Sequence, residues 1–150
     1  MNRLAPLWLL LVSCAALAGE PATPPEVIQF PADSIQWKPG PPTLPAGAEI
    51  AVLEGDPKGE GLFTMRVKLP AGAKLPPHWH PRPERVTVIS GSIGLAFGDV
   101  FDQTKLKIFR AGSYYVTPPE VHHYAAAPEE VVVQITTIGP WQLHAVASRK

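Results

Sequence analysis

Cysteine is almost missing from this chain of 150 residues: Cys14 is the only one. An internal disulfide is therefore excluded, and a metal site would have to use nitrogen and oxygen ligands. Charge is scarce as well. Lys plus Arg and Asp plus Glu each total 13, and charged residues make up 17% of the chain. With no basic run and no net charge, the electrostatic footprint of a nucleic-acid binder is absent. The hydrophobic content of 45% is too high for a disordered, charge-rich chain. No segment carries a helical period of useful length.

Proline and glycine are plentiful instead, at 19 and 12 residues. They argue for many turns and against long helices. The length suggests one domain. Residues 1–18 read as a secretory signal: Arg3, an apolar stretch from Leu4 into Ala15, then Ala16-Leu17-Ala18 as a small-residue cleavage site. The apolar stretch is shorter than the about 20 residues a membrane span needs. The expected location is periplasmic or secreted, with cleavage before Gly19. "LVSC" at Leu11–Cys14 also has the look of a lipobox, and lipidation there would tie the protein to a membrane.

Residues 19–45 form a Pro-rich arm, with one short strand expected around Val27 to Phe30 and a loop over Lys38 to Pro45. Phe30 and Trp37 are placed to dock the arm on the core. From Glu49 the period is two. In "LFTMRVKL" Phe63, Met65, Val67 and Leu69 share one face, with Thr64, Arg66 and Lys68 opposite. "ERVTVIS" alternates in the same way, and Ser90-Gly91-Ser92 turns it into "IGLAFGD". "LKIFRAGSYYVT" holds two strands broken at Ala111-Gly112, "EVVVQITTIG" is the most β-branched run, and "WQLHAVAS" closes the chain. Eight to ten short strands with regular turns predict an all-β sandwich or small barrel. The expected inner face carries Met65, Val67, Val86, Val88, Ile93, Val116, Val133 and Ile135.

Four of the five histidines lie in two clusters. In an extended segment, His78 and His80 point to one side, about 6.6 Å apart along the strand. The same parity runs on through Glu84, Val86 and Val88, so a core-facing Val86 implies a core-facing Glu84. A lone carboxylate in a β-core is costly unless paired or metal-bound. The second cluster, His122 and His123, lies on a separate strand that barrel closure can bring opposite the first. Gln134 fits either face of its strand. Tyr114, Tyr115 and Tyr124 fit a pocket wall or ordinary packing. His144 and Trp141 are assigned no chemistry.

Gly72, His78, His80, Glu84 and Gly91 fit every position of a motif in which Gly, five residues, His-x-His, three or four residues, Glu, six residues and Gly follow one another. Gly112, Pro118 and His123 fit a second motif. Glu120 stands where that motif usually has glycine, and Ala127 where asparagine is common. On these residues the chain resembles the cupin superfamily over about Ala46 to Ser148. The resemblance implies a single jelly-roll β-barrel domain, residues 46–148, holding one divalent metal ion. Its ligands would be His78, His80, Glu84 and His123, with His122 in reserve should the register slip by one. Iron, manganese, zinc, nickel and copper all suit such ligands. Three imidazoles and a carboxylate leave positions open on a six-coordinate ion, and Glu84 is the candidate catalytic group, shifting between ligand and proton acceptor. The resemblance further implies a small-molecule substrate, with a dioxygenase as first expectation, and a homodimer that the arm could cross. The alternative is a non-catalytic periplasmic cupin that binds a metabolite or senses metal.

Overall fold

The computed structural model describes residues 27–147, so the leader reading of residues 1–18, Cys14 included, lies outside the described residues. Eleven strands follow one another: β1 (Lys38–Pro39), β2 (Glu49–Glu54), β3 (Leu62–Leu69), β4 (Lys74–Trp79), β5 (Glu84–Ser90), β6 (Ser92–Phe97), β7 (Lys107–Arg110), β8 (Tyr114–Thr117), β9 (His123–Ala126), β10 (Val131–Ile138) and β11 (His144–Ala145). The only helical pieces among the described residues are 3-10 turns at Ala32–Ser34 and Gln103–Lys105. The strands form two sheets, ordered β1-β2-β3-β10-β5-β8 and β11-β4-β9-β6-β7. This is the all-β jelly roll expected.

The two central strands of the first sheet show how the pattern makes the core. β3 buries Phe63, Met65, Val67 and Leu69, and β10 buries Val131, Val133 and Ile135. Antiparallel pairing sets Val133 against Val67 on one side and Val88 on the other. One step along, Ile135 lies between Met65 and Val86. Each such side chain, taken fully from water, contributes about 1.5–3 kcal/mol. Ile93, Leu95 and Ala125 meet them from the second sheet.

The other parity of the same strands is polar and paired across strands. The Thr64 and Thr136 hydroxyls are 3.1 Å apart, and Arg66 Nε donates to Gln134 Oε1 at 3.2 Å. Gln134 therefore lies on the outer face. Lys68 Nζ donates to Glu49 at 2.7 Å and sits 4.3 Å over the Trp37 ring.

Four expectations change. Val27 to Phe30 is no strand, and its side chains are exposed. Among the described residues of the arm, Ile35 and Leu44 are the buried apolar side chains, whereas Phe30, expected to dock, remains 46% exposed. Lys38–Pro39, read as loop, pairs with β2 through Lys38↔Ile50 and Pro39↔Glu49. Val116, expected in the core, is 41% exposed. Its register partner is the outward Arg85, so Tyr115 and Thr117 take the inner parity of β8.

The turn from β5 to β6 needs its glycine. Gly91 has φ +68°, and a Cβ there would lie 2.1 Å from the Glu130 carbonyl oxygen.

Candidate metal centre

The end of β4, the loop after it, and the start of β9 bring three imidazoles together. His78 and His123 are cross-strand partners, next to a register shift in β4 that turns His78 away from regular pleating. His80 follows as the first residue of the loop between β4 and β5, where its carbonyl accepts the Glu120 N–H at 2.8 Å. Ring centroids are 4.2 Å apart for His78–His123, 5.1 Å for His78–His80 and 5.3 Å for His80–His123. One nitrogen from each lies within 4.8 Å of the other two. All three residues are 3% exposed.

Each ring is anchored to a backbone carbonyl through Nδ1: His78 to Pro76 at 2.7 Å, His80 to Gln142 at 2.7 Å, His123 to Val121 at 2.9 Å. A carbonyl only accepts, so the proton sits on Nδ1 and the lone pair is left on Nε2. This is the arrangement in which a histidine ligates through one nitrogen while the other is held in place. Burial lowers the pKa of His78 and of His123 to about 4. The Pro76 and Val121 carbonyls pull the other way without prevailing. His80 is lowered too, again mainly by burial. At neutral pH three uncharged imidazoles face one another, the form that binds a metal.

Glu84 stands at the edge of this group. Its Oε2 is 3.4 Å from His80 Nε2, and its Oε1 accepts the Trp141 indole N–H at 2.5 Å. Burial pushes its carboxyl up, while the Trp141 bond and then His123 pull it down. Trp141 also lies nearly parallel to the His80 ring, 6.1 Å away at 13°. Its own backbone N–H is tied to Pro57 O at 2.7 Å. The segment after β10 thus holds two site residues at once, Glu84 through the indole and His80 through the Gln142 carbonyl.

Above the imidazoles lies a cavity of about 50 Å³ walled by both sheets. Tyr115, Thr117 and Trp141 join the imidazoles and Glu84 in its lining, and apolar side chains complete it. Among the described residues neither lysine nor arginine lines it. The Tyr115 phenol is raised well above its usual range, first by burial and then by the Glu84 charge.

The donor set suits a divalent first-row metal. Three neutral nitrogens meet at one place, and a cation would offset the buried carboxylate beside them. Of the four proposed ligands the three imidazoles converge, and Glu84 borders them. His122 turns away: it is half-exposed and its Nδ1 pairs with Asp99 Oδ1 at 2.7 Å. His144 stacks on Trp79 at 4.2 Å and 16°, on the far side of β4 from His78. Tyr114 is exposed, and Tyr124 packs on Phe101 and donates to Asp102 O at 3.2 Å. Sequence reasoning gave Trp141 no role, because its partner Glu84 is 57 residues away and no spacing links them.

The two departures from the second motif also find their places. Glu120 has φ +60°, the left-handed region where glycine is at ease. Ala127 is buried, and its backbone bonds Gly72 and Ala73 at 2.7 and 2.8 Å.

A family model described as ChrR Cupin-like domain matches residues 26–142. The chain belongs to this cupin family. Germin-like protein 3-1 from Oryza sativa subsp. japonica is 33% identical to this cupin over 87 residues, which are 54% of this chain and 39% of that protein. The match thus spans well under half of that relative's length. Among solved structures, the polyketide cyclase RemF from Streptomyces resistomycificus has a TM-score of 0.68 at 13% identity, covering 83% of this cupin and 89% of that chain. An acetylacetone dioxygenase from Acinetobacter johnsonii has a TM-score of 0.62 at 19% identity, covering 89% and 91%. At such identities the likeness shows the fold.

Proposed function

We propose that His78, His80, Glu84 and His123 hold one divalent ion of iron, manganese, zinc, nickel or copper, and that the cupin is a metal-dependent enzyme acting on a small molecule. Dioxygenase-type chemistry is the class placed first. The observation that carries the reading is the triad itself: three buried imidazoles, each with Nδ1 committed to a carbonyl, and one nitrogen from each within 4.8 Å of the others at the wall of a cavity. The acetylacetone dioxygenase of similar fold supports the class.

A bound metal would supply Lewis-acid or redox chemistry. The chain's own groups supply the surroundings. The Nδ1–carbonyl bonds orient the imidazoles. Trp141 fixes Glu84 Oε1, leaving Oε2 to accept a proton or join the metal. The apolar walls keep water out and strengthen every charge interaction inside.

The test is metal analysis of the purified protein together with oxygen uptake on a panel of small diketones, thiols and phenols. One ion per chain and turnover of one panel member support the reading. Metal and tight ligand binding without turnover replace it with the binder or sensor. Full metal content in a His78→Ala, His80→Ala double variant removes the site altogether. On the leader-like residues 1–18 we also propose export. Mass spectrometry of the exported protein should find Gly19 first, and a lipid mass on Cys14 would replace free export with membrane attachment.

A further inference from the structure

Glu84 is held by a residue that is itself held from outside the barrel. Its Oε1 accepts the Trp141 indole N–H. Trp141 belongs to a strap over residues 139–143, between β10 and β11, that is neither strand nor helix. A side chain on such a strap is placed no better than the backbone that carries it. That backbone leans on one element, the turn over residues 55–61 that joins β2 to β3. Gly139 N–H donates to Gly61 O at 2.8 Å, and Trp141 N–H donates to Pro57 O at 2.7 Å. Pro140 between them has no N–H to give. The contact is also tight. A Cβ on Gly139 would lie 2.2 Å from the Gly59 carbonyl oxygen, so even one methyl group forces strap and turn apart. Asp56 stiffens the turn: its Oδ1 accepts the Lys58 N–H at 2.9 Å, and its carbonyl accepts the Gly59 N–H at 3.0 Å.

Asp56 is exposed, and no residue of the turn lines the cavity. Its reach into the site runs through hydrogen bonds. The turn carbonyls fix the strap up to Trp141, and just beyond it the Gln142 carbonyl meets His80 Nδ1 at 2.7 Å. The indole between these anchors takes one oxygen of Glu84. With Oε1 engaged, Oε2 is the oxygen turned to the imidazoles, 3.4 Å from His80 Nε2. Freeing the strap from the turn would release the indole and, with it, the orientation of the carboxylate.

We propose that the turn over residues 55–61 is a remote positioning element of the metal centre: by seating Gly139 and Trp141 it fixes the indole on Glu84 Oε1 and so presents Oε2 to the imidazole cluster. Gly139 and Asp56 are then positioning residues, although neither lines the cavity. The inference rests on the metal-site reading above for its purpose, but its geometry can be tested without metal.

The test follows indole N–H signals of the isotope-labelled, metal-free full chain by proton–nitrogen correlation spectroscopy. Of the four tryptophans, the one whose peak is missing in Trp141→Phe is Trp141. In wild type that peak should lie downfield and exchange slowly with deuterated water, as a proton given to a buried carboxylate does. Gly139→Ala should move it upfield and speed its exchange, and Asp56→Ala should do the same to a smaller extent. Ser92→Ala is the control. It removes a buried bond to Glu129 of 2.7 Å, at the end of β6 away from Phe97, the partner of His123, and should leave the peak in place. Zinc titration against a chromophoric chelator gives the second readout. Gly139→Ala should weaken zinc binding by about tenfold, as loss of an outer partner does. The Gly139→Ala, Trp141→Phe double variant should stay within about threefold of Trp141→Phe alone, because both changes cut one path. Should Gly139→Ala fail to fold, Asp56→Ala decides by the same signs. A Trp141 peak unmoved in both variants, an equal shift in Ser92→Ala, or zinc losses that multiply in the double variant overturns the proposal and leaves the metal reading intact. A peak that moves as expected in a chain that binds no zinc upholds the positioning and overturns the metal reading. An unmoved peak and no zinc overturn both.

Discussion

His122 and His123 are chain neighbours with opposite fates. His123 lies in the core, tied through Nδ1 to a carbonyl two residues back. His122 is half-exposed and tied to a carboxylate, Asp99. The same contrast separates His78 and His80 from His144, which stacks on Trp79 outside the barrel. Identity of the residue type decides little here. Strand parity decides which imidazoles lose water, and anchoring to the backbone decides which nitrogen faces the others. A ring desolvated and fixed in this way is neutral at pH 7 and already shaped for a cation. A ring on the outer face is only a solvated polar group.

Replacing members of the two sets should sharpen the contrast most. His78→Ala, His80→Ala or His123→Ala should weaken metal binding more than 100-fold, beyond the 10–100-fold typical of losing an outer partner. His122→Ala and His144→Ala should leave it within about twofold. Competitive titration with a chromophoric chelator reads both sets.

Next in size is the clamp on Glu84. Trp141→Phe keeps the ring against His80 but removes the N–H from Glu84 Oε1. Metal affinity should change by roughly 10–100-fold in the same titration, and metal-free stability should fall by about 1–3 kcal/mol in urea unfolding, because a buried carboxylate oxygen is left unpaired.

Acid should break the contrast from the other side. His78 and His123 have folded pKa values of about 4 against an ordinary 6.5. The unfolded chain therefore takes up protons first as the pH falls. Stability present above pH 6.5 is lost progressively as the pH drops towards 4, by at most about 3 kcal/mol per imidazole. Glu84, raised by burial, works in the opposite sense, its stabilising protonation being lost as pH rises. Two imidazoles, with His80 lowered alongside them, outweigh one carboxyl, so a net decline remains. Denaturant midpoints of the metal-free protein between pH 7 and 4 should show it, and a His78→Gln, His123→Gln variant should be flatter.

The smallest effect concerns a site outside both sets. Glu120→Gly relieves a left-handed backbone at φ +60°. The gain is about 1 kcal/mol, partly offset by the greater freedom of glycine in the unfolded chain. A melting temperature raised by a few degrees, with unchanged metal affinity, is the expected result.

Period-two alternation made the strands legible, since β3, β5 and β10 bury the residues their parity names. It also placed His78, His80 and Glu84 on the inner side before any fold was known. Val116 misled because its strand is only four residues long, too short for its parity to be read without its partner β5. Val27 to Phe30 misled because β-branched and aromatic residues alone do not make a strand where no neighbour pairs with them. Thr117 and Trp141 were invisible for a different reason. Each acquires its place by meeting Glu84 across the fold, Thr117 through strand register and Trp141 through a hydrogen bond, and no local pattern encodes such a meeting. Glu120 was noticed only as a departure from glycine, and the backbone angle gives that departure its physical content.

On the proposed reading the inner imidazoles, and not the outer ones, hold a metal. X-ray absorption spectroscopy on the full chain loaded with one equivalent of zinc counts imidazoles around the ion directly. Three imidazoles in wild type, two in His123→Ala and still three in His122→Ala are predicted. Fewer than three in wild type, or a loss in His122→Ala with none in His123→Ala, would rule this metal site out.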